Sequence, residues 1–259
     1  MNMTPGWPRH VDGNVSPVIL PIGSPRDTGW ETPQGLSTAG ERQTVQVRKF
    51  TFPAIGAQQA DGLLDELPYA IWPKCDCTEA VQAGGKLAKS VRGRLPSDRP
   101  AVVAFTSPGD GDGKTTLVQI LAPELAKRTL GGALAVDADF RKSDLTSRLG
   151  IAARNPAGSS LVYPTDLPGL NVLPMSRQRQ SRGADAGWIN AMRERWPLAI
   201  LDMASLEHAE TAPILRYCDG VCLVVRLGHT SRRAVKEAAR LISICGGQFL
   251  GCVVVGDAA

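Results

Sequence analysis

The run Thr106-Ser107-Pro108-Gly109-Asp110-Gly111-Asp112-Gly113-Lys114-Thr115-Thr116 constrains this chain more than any other stretch. It sits between an apolar, β-branched segment at 101–105 and a segment with helical periodicity. A strand that turns through alternating glycines into a helix is the arrangement of a phosphate-binding loop. Glycines 109, 111 and 113 carry no Cβ, so the backbone there can take positive φ and turn successive N–H groups toward one anion. The helix predicted to start near Lys114 adds unpaired N–H groups and a positive dipole end at the same point. Pro108, Gly109, Asp110, Gly111, Asp112, Gly113, Lys114, Thr115 and Thr116 therefore form the candidate binding segment for a nucleoside triphosphate. Lys114 would reach the β- and γ-phosphates, and the Thr115 hydroxyl would ligate the accompanying Mg²⁺.

The match to the strict Walker pattern is imperfect, because the first glycine of that pattern falls six residues before the lysine, where this chain has Pro108. The competing reading is a glycine-rich surface turn that ends in a lysine. The flanking strand and helix patterns favour the loop.

A second constellation lies at the distance a βαβ unit demands. Leu117, Ile120, Leu121, Leu125 and Ala126 recur at helical spacing, Gly131-Gly132 end the helix, and Ala133 to Val136 read as a buried parallel strand. That strand runs into Asp137-Ala138-Asp139-Phe140-Arg141. Ligands of open parallel sheets sit beyond the carboxyl ends of the strands, so two carboxylates and a guanidinium are expected to project toward the phosphate loop. The alternative is that these acids cap the next helix. A third strand, Leu198 to Leu201, ends in Asp202, a position that fits the second metal-side carboxylate of phosphate-loop enzymes.

Further along, 171–175 and 220–225 read as strands, 184–195 and 231–245 as helices, and 249–255 as a last strand. Trp188 falls beside Met192 at helical spacing and reads as core. The expected fold is an α/β, doubly wound, mostly parallel sheet of the P-loop NTPase type. It would occupy 99–259, preceded by entry helices in 61–98. Within the latter, a short helix at 61–67 and a second at 78–91 are expected, Thr78 as cap, with Gly84-Gly85 an awkward pair inside a helix. The first sixty residues hold Pro5, Pro8, Pro17, Pro21, Pro25 and Pro33 and read as a flexible leader with one short strand at 45–52. A mobile connection is expected between 149 and 168.

With 43% hydrophobic residues in 259, one substantial core is affordable. The net charge of +4 comes without a dense basic block interleaved with aromatics, which argues against a nucleic-acid partner. No apolar run is long enough to span a bilayer and no charged-then-apolar signal opens the chain. Cys218, Cys222, Cys245 and Cys252 fall in or beside apolar strands and read as core thiols, while Cys75 and Cys77 lack zinc-site spacing. A reducing cytoplasm suits them. His10, His208 and His229 are scattered and read as ordinary surface or loop residues.

Taken together, these residues resemble the bacterial tyrosine kinase family, cytoplasmic ATP-binding proteins that govern capsule and exopolysaccharide export, within the wider MinD/ParA-like group. The resemblance runs through the loop at 106–116, Val-Asp-Ala-Asp-Phe-Arg at 136–141, Gly-Leu-Asn-Val-Leu-Pro at 169–174, Ile-Leu-Asp at 200–202, Cys-Asp-Gly-Val-Cys-Leu-Val-Val-Arg at 218–226 and Leu-Gly-Cys-Val-Val-Val at 250–255. It implies ATP and Mg²⁺ as ligands. It further implies Lys114, Asp137, Asp139 and Asp202 as catalytic groups, Thr115, Asp137 and Asp202 on the metal side, and Arg141 as a nucleotide-side arginine. A membrane polysaccharide co-polymerase is the implied activator, which would bring a cytoplasmic protein to the inner face of the membrane. The family's C-terminal tyrosine run has no counterpart at 256–259, and its two arginines after the helix glutamate are Gln82 and Gly85 here, so an arginine-built oligomer is not expected. Met203-Ala204-Ser205 replaces a threonine and two prolines, and Gly109 stands where MinD/ParA proteins carry a lysine. A phosphoryl-transfer or hydrolytic regulator, a non-catalytic nucleotide-binding adaptor and a MinD/ParA-like positioning ATPase all remain open on these residues.

Overall fold

The computed structural model describes residues 70, 72, 75, 77–151, 162–175 and 187–256. The expectations for the leader, the strand at 45–52, the helix at 61–67, His10 and residues 152–161 of the 149–168 connection lie outside them.

Seven strands form one sheet in the order β3-β4-β2-β5-β1-β6-β7. The strands are β1 (Ala101–Thr106), β2 (Ala133–Ala138), β3 (Tyr163–Pro164), β4 (Leu170–Pro174), β5 (Leu198–Met203), β6 (Gly220–Arg226) and β7 (Phe249–Val255). Every pairing is parallel except β3 with β4. The strands β1, β2 and β5 are buried along their whole length, as their near-continuous apolar sequences require in a sheet covered on both faces. The doubly wound parallel architecture expected from the alternating pattern is the one found.

Helices α1 (Thr78–Arg92), α2 (Lys114–Lys127), α3 (Asp144–Arg148), α4 (Gly187–Arg193) and α5 (Arg232–Ile244) connect the strands, with a 3₁₀ turn at Ala212–Tyr217. Alternate residues of β1 feed two separate cores. Val103 and Phe105 pack with Leu87, Leu117, Leu121 and Leu125 under α1 and α2, whereas Val102 and Ala104 pack with Met192, Leu215 and Ile242 on the other face. Trp188 is buried in the second core, as its spacing predicts.

The glycine pair in α1 has a packing reason that outweighs its cost in helix propensity. A Cβ on Gly84 would stand 2.5 Å from Ile120 Cγ2, so the small residue is what lets α1 lie against α2. Helix α1 presents Ala80, Leu87, Ala88 and Val91 to the same core. Its N-cap is Cys77, one residue ahead of the expected Thr78, and no side chain caps it.

Pro123 lies inside α2. A proline has no N–H to give to the carbonyl four residues earlier, which here is Gln119. The indole N–H of Trp72 donates to that carbonyl at 2.8 Å, and the Trp72 backbone N–H donates to Asp166 Oδ1 at 2.7 Å. With a parallel bridge between Ala70 and Thr165, these bonds strap the incoming chain across α2 and the β3 edge. Trp72 is 2% exposed, so the strap also extends the first core.

Among the described residues no helix is long and apolar enough to cross a membrane.

Candidate functional site

Strand β1 ends at Thr106, whose hydroxyl donates to the Ala204 carbonyl, and the Leu206 N–H donates to the Ser107 carbonyl. The loop that follows is thus tied to the segment leaving β5. Gly111 and Gly113 take φ of 84° and 86°, in the left-handed region that other residues enter at a cost. Gly113 caps α2, which starts at Lys114 as the sequence predicts. The loop and the first turn of α2 border a cleft of about 230 Å³ whose lining includes Asp110, Gly111, Gly113, Lys114, Thr115 and Thr116. Lys114 is 7% exposed, and its ammonium donates to Ser107 Oγ at 2.9 Å. The Ser107 hydroxyl in turn donates to the Gly109 carbonyl.

Asp110 and Asp112, predicted within the same segment, are held by the protein from opposite sides. Ser205 Oγ donates to Asp110 Oδ1 at 2.7 Å, and Lys142 Nζ lies 2.8 Å from Oδ2. The Lys142 bond, with Ser205 and the Lys114 charge adding to it, holds the Asp110 carboxyl below the usual carboxylate range. Asp112 is 1% exposed and accepts from Thr230 Oγ1 at 2.7 Å, with His229 Nδ1 3.1 Å from the same oxygen. His208 Nε2 stands 3.5 Å from Asp110. His208 and His229 lie in loops, as read, and each also approaches a loop carboxylate, because the connections after β5 and β6 fold back over the loop. Pro108 begins the turn and Gly109 faces Glu207, whose Oε1 would be 3.1 Å from an added Cβ.

Behind this loop stand the strand-end acids. Asp137 and Asp202 are register partners on adjacent parallel strands, and each is 1% exposed. Thr146 donates to Asp137 Oδ2 through both its N–H and its hydroxyl, while Oδ1 accepts nothing. Burial pushes Asp137 up to about 6 against the pull of those two bonds. Neither oxygen of Asp202 accepts a hydrogen bond of good geometry. Burial, reinforced by the Asp137 charge, pushes Asp202 up to about 8, although the nearby Thr115 hydroxyl and Lys114 ammonium pull the other way. Asp139 lies at the cleft wall, where its Oδ1 accepts the N–H groups of Arg141 and Lys142. The helix-capping alternative thus holds in part for Asp137, which accepts the Thr146 N–H in the first turn of α3, whereas Asp139 ties the turn ahead of that helix. Arg141 points to Glu210, with Nη1 3.7 Å from Oε1.

Three buried carboxylate oxygens without a partner are an energetic anomaly, since a buried unsatisfied polar group costs about 1–3 kcal/mol and a charged one more. A hard cation and its water are the chemistry that would relieve it, and Mg²⁺ is commonly held by one or two carboxylates plus phosphate oxygens. Thr115, Asp137 and Asp202 fit that donor set. Among the described residues no group of three or more His, Cys, Asp or Glu side chains forms a metal cage by itself.

Six lining residues escaped the sequence reading: the charged Lys142, Asp144, Arg148 and Arg226, with Val255 and Gly256. Arg148 Nη1 donates to Thr116 Oγ1 and Gln119 Oε1, both at 3.0 Å. The place of Lys142 directly after Asp-x-Asp-x-Arg was the one available signal.

No family model matches the chain, and neither does any curated protein. Solved structures do match. The BceF tyrosine kinase domain superposes with a TM-score of 0.58 at 19% identity, covering 70% of this chain and 78% of that one. The VpsO kinase domain gives 0.57 at 24% identity, over 69% and 96%. The kinase domain of the Escherichia coli tyrosine kinase ETK gives 0.55 at 18%, over 69% and 76%. The fold is that of the bacterial tyrosine kinase domains. At these identities the likeness is one of architecture, and the expected α/β fold of the P-loop NTPase type is the one this chain adopts.

Proposed function

We propose that this chain binds MgATP on the loop 107–116 and directs its terminal phosphoryl group to an acceptor or to water, as a regulator of the kind that governs capsule and exopolysaccharide export. The observation that carries the reading is a pair of buried strand-end carboxylates, Asp202 with neither oxygen satisfied and Asp137 with only its Oδ2 bonded, behind Thr115 at the start of the helix that follows the glycine loop. The loop N–H groups and the positive end of α2 would bind and orient the phosphates. Lys114 would leave Ser107 and place its charge between the β- and γ-phosphates. Mg²⁺, held by Thr115 with Asp137 and Asp202, would supply charge neutralisation. Asp139, at the cleft wall, would orient the attacking hydroxyl or water. Positioning and charge stabilisation are the main contributions in such transfers. ATP over GTP, a cytoplasmic location and a membrane co-polymerase as activator belong to the same proposal and rest on the family resemblance.

A binding-only adaptor is the second reading, favoured by one observation. After Asp202 the chain runs Met203-Ala204-Ser205, and the buried Ser205 hydroxyl is committed to Asp110. That segment therefore offers no hydroxyl toward a terminal phosphate.

Lys114→Ala is expected to weaken MgATP binding by about 1.5–3 kcal/mol, the worth of a hydrogen bond to a charged group, or about tenfold to a hundredfold in calorimetry. Unchanged affinity would rule out the loop as the binding site. Release of labelled phosphate or transfer to a tyrosine separates the enzyme from the adaptor.

A further inference from the structure

The cleft holds more cationic side chains than its loop motif supplies. Lys142 enters it from the turn after β2, with its position fixed by the backbone N–H bond to Asp139 Oδ1 at 3.2 Å. Its ammonium pairs with Asp110 Oδ2 at 2.8 Å, yet the side chain is 46% exposed. Exposed ion pairs are worth little, commonly under about 1 kcal/mol, and a lysine stem is long and flexible. Asp110 keeps other partners when Lys142 leaves, because Ser205 Oγ holds its other oxygen and His208 stands close by.

Direction follows from the sheet order. Strands β2 and β5 lie on one side of β1 and bring Asp137, Asp139 and Asp202, whereas β6 and β7 lie on the other and bring Arg226, Val255 and Gly256 to the cleft. A nucleotide lying across the loop with its terminal phosphate toward the buried carboxylates has that phosphate on the Lys142 side.

We propose that Lys142 is a second phosphate-binding cation, held by Asp110 in this structure and exchanged onto the terminal phosphate when a nucleoside triphosphate binds. It makes the site discriminate triphosphate from diphosphate. The inference rests on the nucleotide-binding reading above and adds to it the residue that senses the third phosphate. The exchange is nearly balanced: an ammonium leaves one anion for another, and Asp110 keeps its Ser205 bond.

The competing role for Lys142 is a latch that merely steadies the loop, and the test separates the two. Binding of ATP and of ADP, each with Mg²⁺, is measured by calorimetry on the full chain for wild type, Lys142→Gln, Lys142→Arg and Asp110→Asn. The expected result for Lys142→Gln is a loss of about tenfold or more for ATP with less than about threefold for ADP. Lys142→Arg, which keeps the charge, restores most of the ATP affinity. Asp110→Asn frees Lys142 without altering it, so it preserves or widens the preference for ATP, and it serves if Lys142→Gln does not fold. Equal losses for both nucleotides in Lys142→Gln, or a preference lost in Asp110→Asn, would overturn the proposal and leave the nucleotide reading standing. A wild-type chain that binds neither nucleotide would overturn both.

Discussion

Asp202→Asn is expected to make the protein more stable when nucleotide and Mg²⁺ are left out. The carboxylate is buried, neither oxygen has a hydrogen-bond partner, and Asp137 faces it across the strand pair. Burial of an unsatisfied charge costs on the order of 3 kcal/mol, and each kcal/mol moves the melting temperature of a domain this size by about 2–4 °C. The neutral amide should therefore raise Tm by about 6–12 °C at pH 8. The pH dependence has a definite sign. Asp202 is pushed up to about 8 from the ordinary value of 3.8 that the unfolded chain retains. Between those values the folded state holds the proton more tightly, so wild-type stability falls as pH rises from 4 to 8. The variant should lack that part of the fall, so that its advantage is large at pH 8 and absent near pH 4. Melting curves by circular dichroism at four or five pH values read this directly. An Asn variant less stable than wild type at pH 8, or an advantage that does not change with pH, would refute the argument that Asp202 is an uncompensated buried acid. Turnover should fall in the same variant.

Thr146→Val keeps the backbone N–H bond to Asp137 and deletes the hydroxyl bond. It should cost about 1.5–3 kcal/mol in urea unfolding and push the Asp137 carboxyl further up, readable by NMR titration; a loss under about 0.5 kcal/mol would mean the hydroxyl bond does not hold α3. Gly132→Ala places a Cβ 2.2 Å from the Gly169 carbonyl oxygen at a φ of 81°. About 2 kcal/mol or more should be lost, with an unchanged denaturant slope, and a midpoint equal to wild type would show that the β2–β4 ends can separate freely.

The parts of the molecule that were legible in sequence are those whose cause is local. Ala101 to Phe105, Ala133 to Val136 and Leu198 to Leu201 are apolar runs bounded by turns, and each proves to be a buried strand, the first leading into the phosphate loop and the other two carrying a buried acid near their ends. The start of α2 at Lys114 follows from Gly113, whose left-handed backbone closes the loop. What stayed hidden depends on contacts far apart along the chain. Ser205 and Lys142 meet on Asp110 because β5 and β2 lie on the same side of β1, and Thr230 meets Asp112 because β6 lies on the other. No periodicity encodes such meetings, since they arise only once strand order is known. Gly84 shows the reverse error: a residue read as weakening its own helix is what allows the neighbouring helix to approach.

The bond between Trp72 and Gln119 anchors the segment ahead of α1 to the helix that carries the phosphate loop. Gln119 is about one and a half turns beyond Lys114, on the same rigid element whose first turn borders the cleft. Trp72 meets that element at the carbonyl which Pro123 leaves without a partner in the helix. Arg148 bonds both Thr116 and the Gln119 side chain, so the residue that Trp72 holds and the turn that borders the cleft share one partner.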